Sequence, residues 1–233
     1  MNGKCLVAIG ASSYLASSIM EELSSSFDHI IGTYCSKKPS FYNNSKKIKL
    51  LKLNLNSKKS IDNFFKKKFF NNKNLYFINF SVKIKDQLLY NLEYEEIKKI
   101  IEFNITTNIY LTKKIISKMI PNKFGRIIFL SSTKALKGDP GSGLYSMCKS
   151  SLIGLNNTIA VEYNSFNIKS NIISLGYFQS NLWNRLNEKK RNELLNQTLT
   201  KKLIQKEDLL KTILFIFFGE SIVRSTIYLD GGI

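Results

Sequence analysis

The chain has a single histidine and few cysteines, and it lacks any long apolar run. Because His29 is its only histidine among 233 residues, a Ser-His-Asp triad and a His-rich metal centre are nearly excluded, and we expect no metal. The three cysteines form no Cys-x-x-Cys motif, which favours a reducing compartment over a disulfide framework. No run reaches the roughly 18 apolar residues of a membrane span. We therefore expect a cytoplasmic protein with no membrane span.

Acidic residues are the other scarce type: 17 aspartates and glutamates stand against 35 lysines and arginines, giving a net charge of +18. Such an excess attracts nucleic acid, anionic membranes or acidic partners. Biased composition explains it equally, because basic runs recur in different predicted elements, at 46–47, 58–59, 66–68 and 189–191. We interpret most of this charge as solvated surface and expect no specific nucleic-acid partner. A basic nucleic-acid-binding protein stays an alternative, which a steep salt dependence of binding would support.

Apolar strand-like runs alternate with helical patterns along the chain. This alternation predicts a parallel, doubly wound α/β sheet with helices on both faces, and the lack of a linker predicts one domain over residues 1–233. The polar helical segment at 177–205 is interpreted either as a mobile lid or as ordinary surface helix. The predicted strands cover 4–9, 29–34, 48–53, 75–80, 125–131, 168–174 and 225–229, and the predicted helices cover 14–26, 59–70, 93–120, 144–164, 179–198 and 206–219.

Four spaced polar residues point to a reaction centre. Tyr145 and Lys149 lie four residues apart in a predicted helix, so their side chains share one face. Ser132 ends a predicted strand thirteen residues before Tyr145, and Asn104 lies forty-one residues before it. An ammonium within ~4–6 Å of a phenol in a partly desolvated cleft lowers the phenol's pKa, and a neighbouring hydroxyl can polarise a substrate oxygen. We therefore expect Lys149 to lower the pKa of Tyr145 and make it a proton donor.

The tyrosine–lysine spacing alone carries little weight, because five of the eleven tyrosines have lysine four residues on. Tyr94 even has Ser81 thirteen residues before it, but Leu53 occupies the forty-one spacing. Of the five, only Tyr145 has all three partners. The combination therefore indicates chemistry, and the alternative for each residue is a helix-surface or capping role.

A turn with one glycine follows the first predicted strand, over residues 10–16. Gly10 allows a sharp turn into a helix whose free N–H groups and positive dipole end suit a phosphate. Tyr14 and Ala16 stand where the usual nucleotide-binding turn has further glycines. The motif is degenerate, so an ordinary strand–helix turn is the alternative.

Taken together, these segments resemble the short-chain dehydrogenase/reductase family over nearly the whole chain, and within it the 3-oxoacyl-carrier-protein reductases. The resemblance implies a Rossmann-type sheet with strand order 3-2-1-4-5-6-7 and a nicotinamide cofactor across the point where the order reverses. The residues that carry it are the turn at 10–16, Asn79-Phe80-Ser81-Val82, the four residues Asn104, Ser132, Tyr145 and Lys149, Leu175-Gly176, and Leu229-Asp230-Gly231-Gly232.

The resemblance also assigns roles. It makes Tyr145 the general acid in carbonyl reduction, or the base in alcohol oxidation. Lys149 would lower the pKa of Tyr145 and hold the nicotinamide ribose, Ser132 would orient the substrate carbonyl, and Asn104 would support a water relay from Lys149 to solvent. It implies cofactor contacts at Gly10, Ser12, Ser13, Tyr14, Leu15, Ser36, Lys37, Asn54, Leu55, Asn79, Phe80, Ser81, Tyr145, Lys149, Gly176, Phe178 and Ser180.

The segment after the second predicted strand bears on cofactor choice. Residues 33–38 contain no aspartate or glutamate to bind an adenosine ribose 2′-hydroxyl and repel a 2′-phosphate. Ser36, Lys37 and Lys38 offer a hydroxyl and two cations instead. We therefore expect NADP(H) to be preferred over NAD(H), the alternative being that both lysines are solvated loop residues.

The substrate pocket is expected between the loop at 133–144 and the segment at 177–205. Lys134 and Lys137 add positive charge near its mouth. This charge suits a small anionic or carrier-linked substrate, such as a 3-oxoacyl thioester on an acidic carrier protein or a nucleotide-linked or other anionic sugar. A catalytically silent nucleotide-binding or scaffold subunit is the alternative to an active NADPH-dependent enzyme, because the turn at 10–16 is degenerate.

The family commonly forms dimers and tetramers by pairing two long helices, here those predicted at 93–120 and 144–164. The resemblance therefore implies a homodimer or homotetramer. Apolar residues of these helices could serve that interface or the internal core, and the sequence does not separate the two: Ile101, Ile105, Ile109, Leu152, Leu155 and Ile159.

Overall fold

Seven parallel strands form one sheet in the computed structural model, which describes residues 3–36, 38–39, 46–71 and 73–233. The sheet order is β3-β2-β1-β4-β5-β6-β7, so the predicted α/β class and strand order are confirmed. Because all strands run parallel, their carboxyl ends meet at one edge, and the order reverses between β1 and β4. The strands are β1 (Gly3–Ile9), β2 (His29–Tyr34), β3 (Ile48–Lys52), β4 (Lys73–Asn79), β5 (Gly125–Ser132), β6 (Ile168–Leu175) and β7 (Thr226–Leu229).

Helices cover both faces of this sheet. Within the described residues, none of them combines the length and apolar character needed to cross a membrane. The helices are α1 (Tyr14–Ser17), α2 (Met20–Leu23), α3 (Lys58–Phe65), α4 (Tyr94–Ile101), α5 (Thr107–Met119), α6 (Lys134–Lys137), α7 (Gly143–Glu162), α8 (Asn181–Asn184), α9 (Glu188–Leu195) and α10 (Lys206–Phe218).

The sheet divides the core into two halves. Phe64 of α3 and Leu152 of α7 pack on one face, and Ile213 of α10 packs on the other. Leu6 and Val7 of β1 belong to opposite halves, because successive side chains of a strand point to opposite faces. Both faces of the central strands are therefore apolar, as a parallel sheet covered by helices requires.

The single helix predicted at 14–26 is wrong, because α1 ends at Ser17 and α2 begins at Met20. Serine hydroxyls account for the break. Ser17 Oγ donates to the Tyr14 carbonyl and Ser18 Oγ to the Leu15 carbonyl, both at 2.8 Å. Such bonds offer the backbone an alternative to helix. A helix of four residues has little macrodipole, so its N-terminus attracts a phosphate less strongly than the long predicted helix would.

The long helix predicted at 93–120 is interrupted by a π turn at Glu102–Thr106, between α4 and α5. Its end is close to the prediction, because Pro121 lies in the 3₁₀ turn Ile120–Asn122 that follows α5. π turns are frequent at functional positions. This one contains Asn104, one of the four residues predicted to form the reaction centre.

The segment at 177–205 leaves the fold and returns at closely spaced points. Phe178 and Ile204 form a parallel bridge, and the Ile204 N–H donates to the Tyr177 carbonyl at 2.9 Å. The Thr200 N–H donates to the Gly231 carbonyl at 3.1 Å, which ties the segment to the chain after β7. The predicted lid is therefore an excursion with a fixed base.

Gly176 brings the end of β6 against the chain after β7, and its substitution tests this close approach. A Cβ at this position would lie 2.7 Å from Asp230 Cα. We expect Gly176→Ala to lower the free energy of unfolding by about 1–3 kcal/mol, because backbone has to move. Gly143→Ala is the control, since a Cβ there meets no atom within 4 Å. Urea unfolding of both variants measures the difference, and equal stabilities would contradict the close approach.

Candidate active site

Helix α7 carries Tyr145 in its first turn and Lys149 one turn later. The Lys149 Nζ lies 5.8 Å from the centroid of the Tyr145 ring. It donates a hydrogen bond of 2.7 Å to the Leu130 carbonyl of β5. A second bond joins the same elements, from Ser131 Oγ to the Lys149 carbonyl at 3.1 Å. Helix and strand are thus held together at the level of the two predicted catalytic side chains.

Ser132 is the last residue of β5, directly after this contact. Its hydroxyl lies close enough to the Tyr145 hydroxyl to act on the pKa of that phenol, and its Oγ accepts from the Lys134 N–H at 3.4 Å. The structure therefore brings Ser132, Tyr145 and Lys149 together. Two adjacent hydroxyls offer a pair of donors to one substrate oxygen.

The pKa values differ from the expectation. Burial raises the pKa of Tyr145, although the Ser132 hydroxyl opposes this, and the charge of Asp86 raises it further. Burial lowers the pKa of Lys149 from 10.5 to about 8. Lys149 was expected to lower the pKa of Tyr145, but it is not among the groups that shift this pKa, and the Lys149 amine bonds to Leu130 instead. Tyr145 consequently holds its proton at neutral pH, the form required of an acid.

Asn104 joins the π turn to the segment after β4. Its Oδ1 accepts from the Lys83 N–H at 2.9 Å, and its Nδ2 donates to the Lys83 carbonyl at 2.8 Å. The Asn104 side chain also lies close enough to Cys148, the residue before Lys149, to act on the pKa of its thiol. Asn104 is therefore close to α7, as the spacing suggested, while both ends of its amide hold the backbone of Lys83.

A cavity of about 350 Å³ opens at the carboxyl ends of β1 to β4, where the strand order reverses. Ligands of open parallel sheets bind at this point. Fourteen residues line the cavity, from all four strand ends and from the π turn: Gly10, Ser12, Ser13, Thr33, Tyr34, Cys35, Leu53, Leu55, Asn56, Phe80, Ser81, Val82, Lys83 and Phe103.

Gly10 lets the turn after β1 approach the end of β4. It has a φ of +72°, and a Cβ there would lie 2.9 Å from the Ser81 nitrogen. Its N–H donates to Thr33 Oγ1 at 3.0 Å. On the other side, Asn79 Oδ1 accepts from the Ser81 N–H and hydroxyl at 2.9 and 2.6 Å. Hydroxyl and backbone groups from three strands therefore line the cavity, a fit for the ribose and phosphate groups of a nucleotide.

Six predicted cofactor residues line this cavity and others lie outside it. Lys37 lies outside the described residues. Those that line it are Gly10, Ser12, Ser13, Leu55, Phe80 and Ser81. Those described residues that do not are Tyr14, Leu15, Ser36, Asn54, Asn79, Tyr145, Lys149, Gly176, Phe178 and Ser180.

Local contacts explain several of these positions. Tyr14 is 40% exposed and does not line the cavity, so this ring leaves the space beside the turn open. Asn54 Oδ1 accepts from the Asn56 N–H at 3.0 Å in a local turn. Ser180 Oγ accepts from the Trp183 N–H at 3.1 Å at the start of α8. These two oxygens already accept hydrogen bonds from backbone N–H groups.

The sequence did not predict the other eight residues that line the cavity. Thr33, Tyr34 and Cys35 could have been found, because they end β2 beside the predicted specificity residues. Lys83 and Phe103 could not, because the π turn that brings Phe103 to the cavity has no recognised sequence signal. Within the described part of the chain, no group of three or more His, Cys, Asp or Glu side chains could hold a metal ion.

The family model described as Enoyl-(Acyl carrier protein) reductase matches residues 29–233 of this chain. Among curated proteins, the chain is similar to the 3-oxoacyl-[acyl-carrier-protein] reductase FabG of Haemophilus influenzae, with 27% identity over all of this chain and 99% of that protein. The FabG of Buchnera aphidicola subsp. Baizongia pistaciae is 30% identical over 98% of this chain and 96% of its own length. The match to Rickettsia conorii FabG, at 30% identity, spans 63% of this chain and 62% of that protein.

Solved structures share the fold at lower identity. A short chain dehydrogenase/reductase family protein has a TM-score of 0.87 with 15% identity, over 99% of this chain and 97% of that one. The structure "ElxO with NADP Bound" has a TM-score of 0.88 with 21% identity, over 98% of both chains.

The desolvated amine of Lys149 should leave a signature in the pH dependence of stability. Its pKa is about 8 in the folded protein and 10.5 ordinarily, so below pH 8 folding disfavours the charged form. Lys149→Met has no amine and avoids this cost. The free energy of unfolding of the variant minus that of wild type should therefore be up to about 3 kcal/mol larger below pH 8 than above pH 10.5. The wild type regains this stability as the pH rises from 8 to 10.5.

Unfolding of wild type and variant in urea across pH 6–11 measures this change. The variant also loses the hydrogen bond to the Leu130 carbonyl. This loss lowers its free energy of unfolding by a constant amount across the pH range and does not mimic the pH dependence. Lys113→Met, at an exposed position of α5, is the control and should run parallel to wild type. A constant difference between Lys149→Met and wild type across this range would contradict the burial of the amine.

Proposed function

The chain belongs to the short-chain dehydrogenase/reductase family, and from this membership we propose that it is an NADPH-dependent oxidoreductase that reduces the carbonyl of a 3-oxoacyl thioester. The observation that carries the proposal is the contact between the Ser132 and Tyr145 side chains, with Lys149 one helical turn away. Both hydroxyls lie at the carboxyl-end edge of the sheet, the edge at which the 350 Å³ cavity opens.

The reaction we infer divides between cofactor and protein. When bound, the nicotinamide cofactor supplies the hydride that adds to the carbonyl carbon. Ser132 donates a hydrogen bond to the carbonyl oxygen, and Tyr145 transfers its phenolic proton to that oxygen as negative charge develops there. The raised pKa of Tyr145 favours this direction, because the acid is present in full at neutral pH. The ammonium of Lys149 stabilises the phenolate left behind.

The proton lost by Tyr145 has to be replaced from solvent. Lys149, with a pKa of about 8, is mostly protonated at neutral pH and can give up a proton readily. Asn104 reaches Cys148, next to Lys149, and fixes the backbone of Lys83. We propose that Asn104 supports the water relay that returns a proton to Lys149.

Preference for NADPH follows from the charge around the cavity. No acidic residue is among those that line it, so no carboxylate there would repel a 2′-phosphate. Ser36 and Lys38 follow the end of β2 and are exposed, so a hydroxyl and a cation are available to a phosphate on that side.

An acyl thioester on a carrier protein is the substrate class that the relatives' names suggest. The charge expected at the mouth of the pocket is smaller than the sequence implied, because Lys134 pairs with Asp139 at 2.6 Å. Lys137 contacts only the neutral Gln197, at 3.4 Å, among described residues. Lys137 is then left as a cation beside the excursion at 177–205, and the charge of Asp86 reaches Tyr145. A cation at this place still suits an anionic or carrier-linked substrate. A nucleotide-linked or other anionic sugar is the second candidate.

A catalytically silent nucleotide-binding or scaffold subunit is the alternative, and Phe80 favours it because its ring takes up room beside the cofactor site. This side chain is buried, packs into the core and lines the cavity. Failure of the protein to bind either nicotinamide nucleotide would make a silent scaffold subunit the better interpretation, whereas binding without turnover would favour a silent nucleotide-binding one.

Replacing the proton donor tests the function. Tyr145→Phe removes one hydroxyl, so we expect kcat for NADPH-dependent reduction of a 3-oxoacyl thioester to fall by about 100-fold or more. NADPH affinity, followed by nucleotide fluorescence, should change little. Tyr94→Phe is the matched control, because Tyr94 has Lys98 at the same spacing, with its Nζ 5.1 Å from the ring, but is 71% exposed and has Leu53 in place of the asparagine. Unchanged turnover in Tyr145→Phe would overturn the assignment.

Pairing of two copies through α5 and α7 is the assembly we propose, as a homodimer or homotetramer. Leu152 and Ile159 are used inside the core, whereas Ile109 of α5 is exposed, as is Val161 of α7. Ile109→Glu should shift the protein towards monomer, because a charge at a packed apolar contact is unfavourable. Leu199→Glu, at an exposed position outside these helices, is the control. Light scattering after gel filtration gives the masses, and an unchanged mass for Ile109→Glu would contradict the pairing.

A further inference from the structure

Lys83 is the one formally charged side chain among the described residues that line the 350 Å³ cavity. The rest of the lining is apolar, hydroxyl, thiol, amide or glycine. In a partly enclosed cavity a single charge decides which ligands are attracted, because the surrounding medium screens it less than bulk water does. The cavity therefore selects for an anionic group near Lys83.

The ammonium of Lys83 is positioned by neutral groups. Its Nζ donates to Asn56 Oδ1 at 2.9 Å and lies 4.5 Å from the centroid of the Phe103 ring. Both partners also line the cavity. Lys85, two residues on, forms an ion pair with Glu96, but no carboxylate within the described part of the chain pairs with Lys83. An ammonium has three donors, so two of them are left for a ligand.

The backbone beneath this side chain is fixed. Asn104 holds both the N–H and the carbonyl of Lys83, at 2.9 and 2.8 Å. The side chain therefore departs from a rigid point and spans from the end of β4 to the loop after β3, where Asn56 lies. A cation held in this way loses less freedom on binding than a lysine in a mobile loop.

We propose that Lys83 binds a phosphate group of the nucleotide and is the cation inside the cavity that favours a phosphorylated ligand. This inference rests on the proposed function. The exposed Lys38 does not line the cavity, so it attracts a phosphate only from outside the cavity. Two phosphate sources share this chemistry, the adenosine 2′-phosphate and the pyrophosphate, and they are distinguished by comparing NADPH with NADH.

The test uses fluorescence titration of the full chain with NADPH and with NADH. Lys83→Gln removes the charge but keeps a donor for Asn56, and its backbone bonds to Asn104 are unaffected. Loss of a charge-assisted hydrogen bond should weaken affinity by about 10- to 100-fold. Lys83→Arg should restore most of it. Lys85→Gln controls for charge removed from the same loop and should alter affinity by about twofold at most. Circular dichroism and melting temperature establish that the variants are folded.

A loss for NADPH alone supports contact with the 2′-phosphate, and an equal loss for both nucleotides supports contact with the pyrophosphate. Unchanged affinity for both in folded Lys83→Gln, while wild type binds, would overturn this inference and leave the proposed function standing. An equal loss in Lys85→Gln would overturn it too, by showing a general effect of charge. If wild type binds neither nucleotide, the proposed function fails and this inference fails with it.

Discussion

The contact between the end of β5 and the first turns of α7 is the constraint on which the site depends. Two hydrogen bonds cross it, from Lys149 Nζ to the Leu130 carbonyl and from Ser131 Oγ to the Lys149 carbonyl. Because Ser132 follows directly, the same contact places its side chain against Tyr145. The contact also buries Tyr145 and Lys149, and burial shifts their pKa values in opposite directions, each towards its neutral form.

The π turn provides the second connection, between the reaction centre and the cavity. It directs Asn104 to the backbone of Lys83 and to Cys148 of α7, and it directs Phe103 to the cavity. A regular helix over the same residues would rotate these side chains relative to one another, because its turns are shorter by one residue. The π turn thus links the cavity to the proposed proton relay.

Basic side chains are abundant on this protein but scarce in the lining of the cavity. Of its 35 lysines and arginines, one lies among the described residues that line the cavity. Several others are paired at the surface, as Lys58 and Lys114 are with Asp62, and such pairs contribute little. The specific effect of charge therefore depends on position and not on the net value of +18.

The sequence by itself determined the α/β class, because periodicity is a local property, and through its family resemblance it implied the strand order and the grouping of Ser132, Tyr145 and Lys149. It did not predict the break after Ser17 or the π turn at Glu102–Thr106, which arise where hydroxyl bonds and tertiary contacts override helix propensity. The direction of the Tyr145 pKa and the place of Lys83 were also decided by tertiary structure alone. Both depend on burial and on groups distant in the chain, and neither quantity is present in a single sequence.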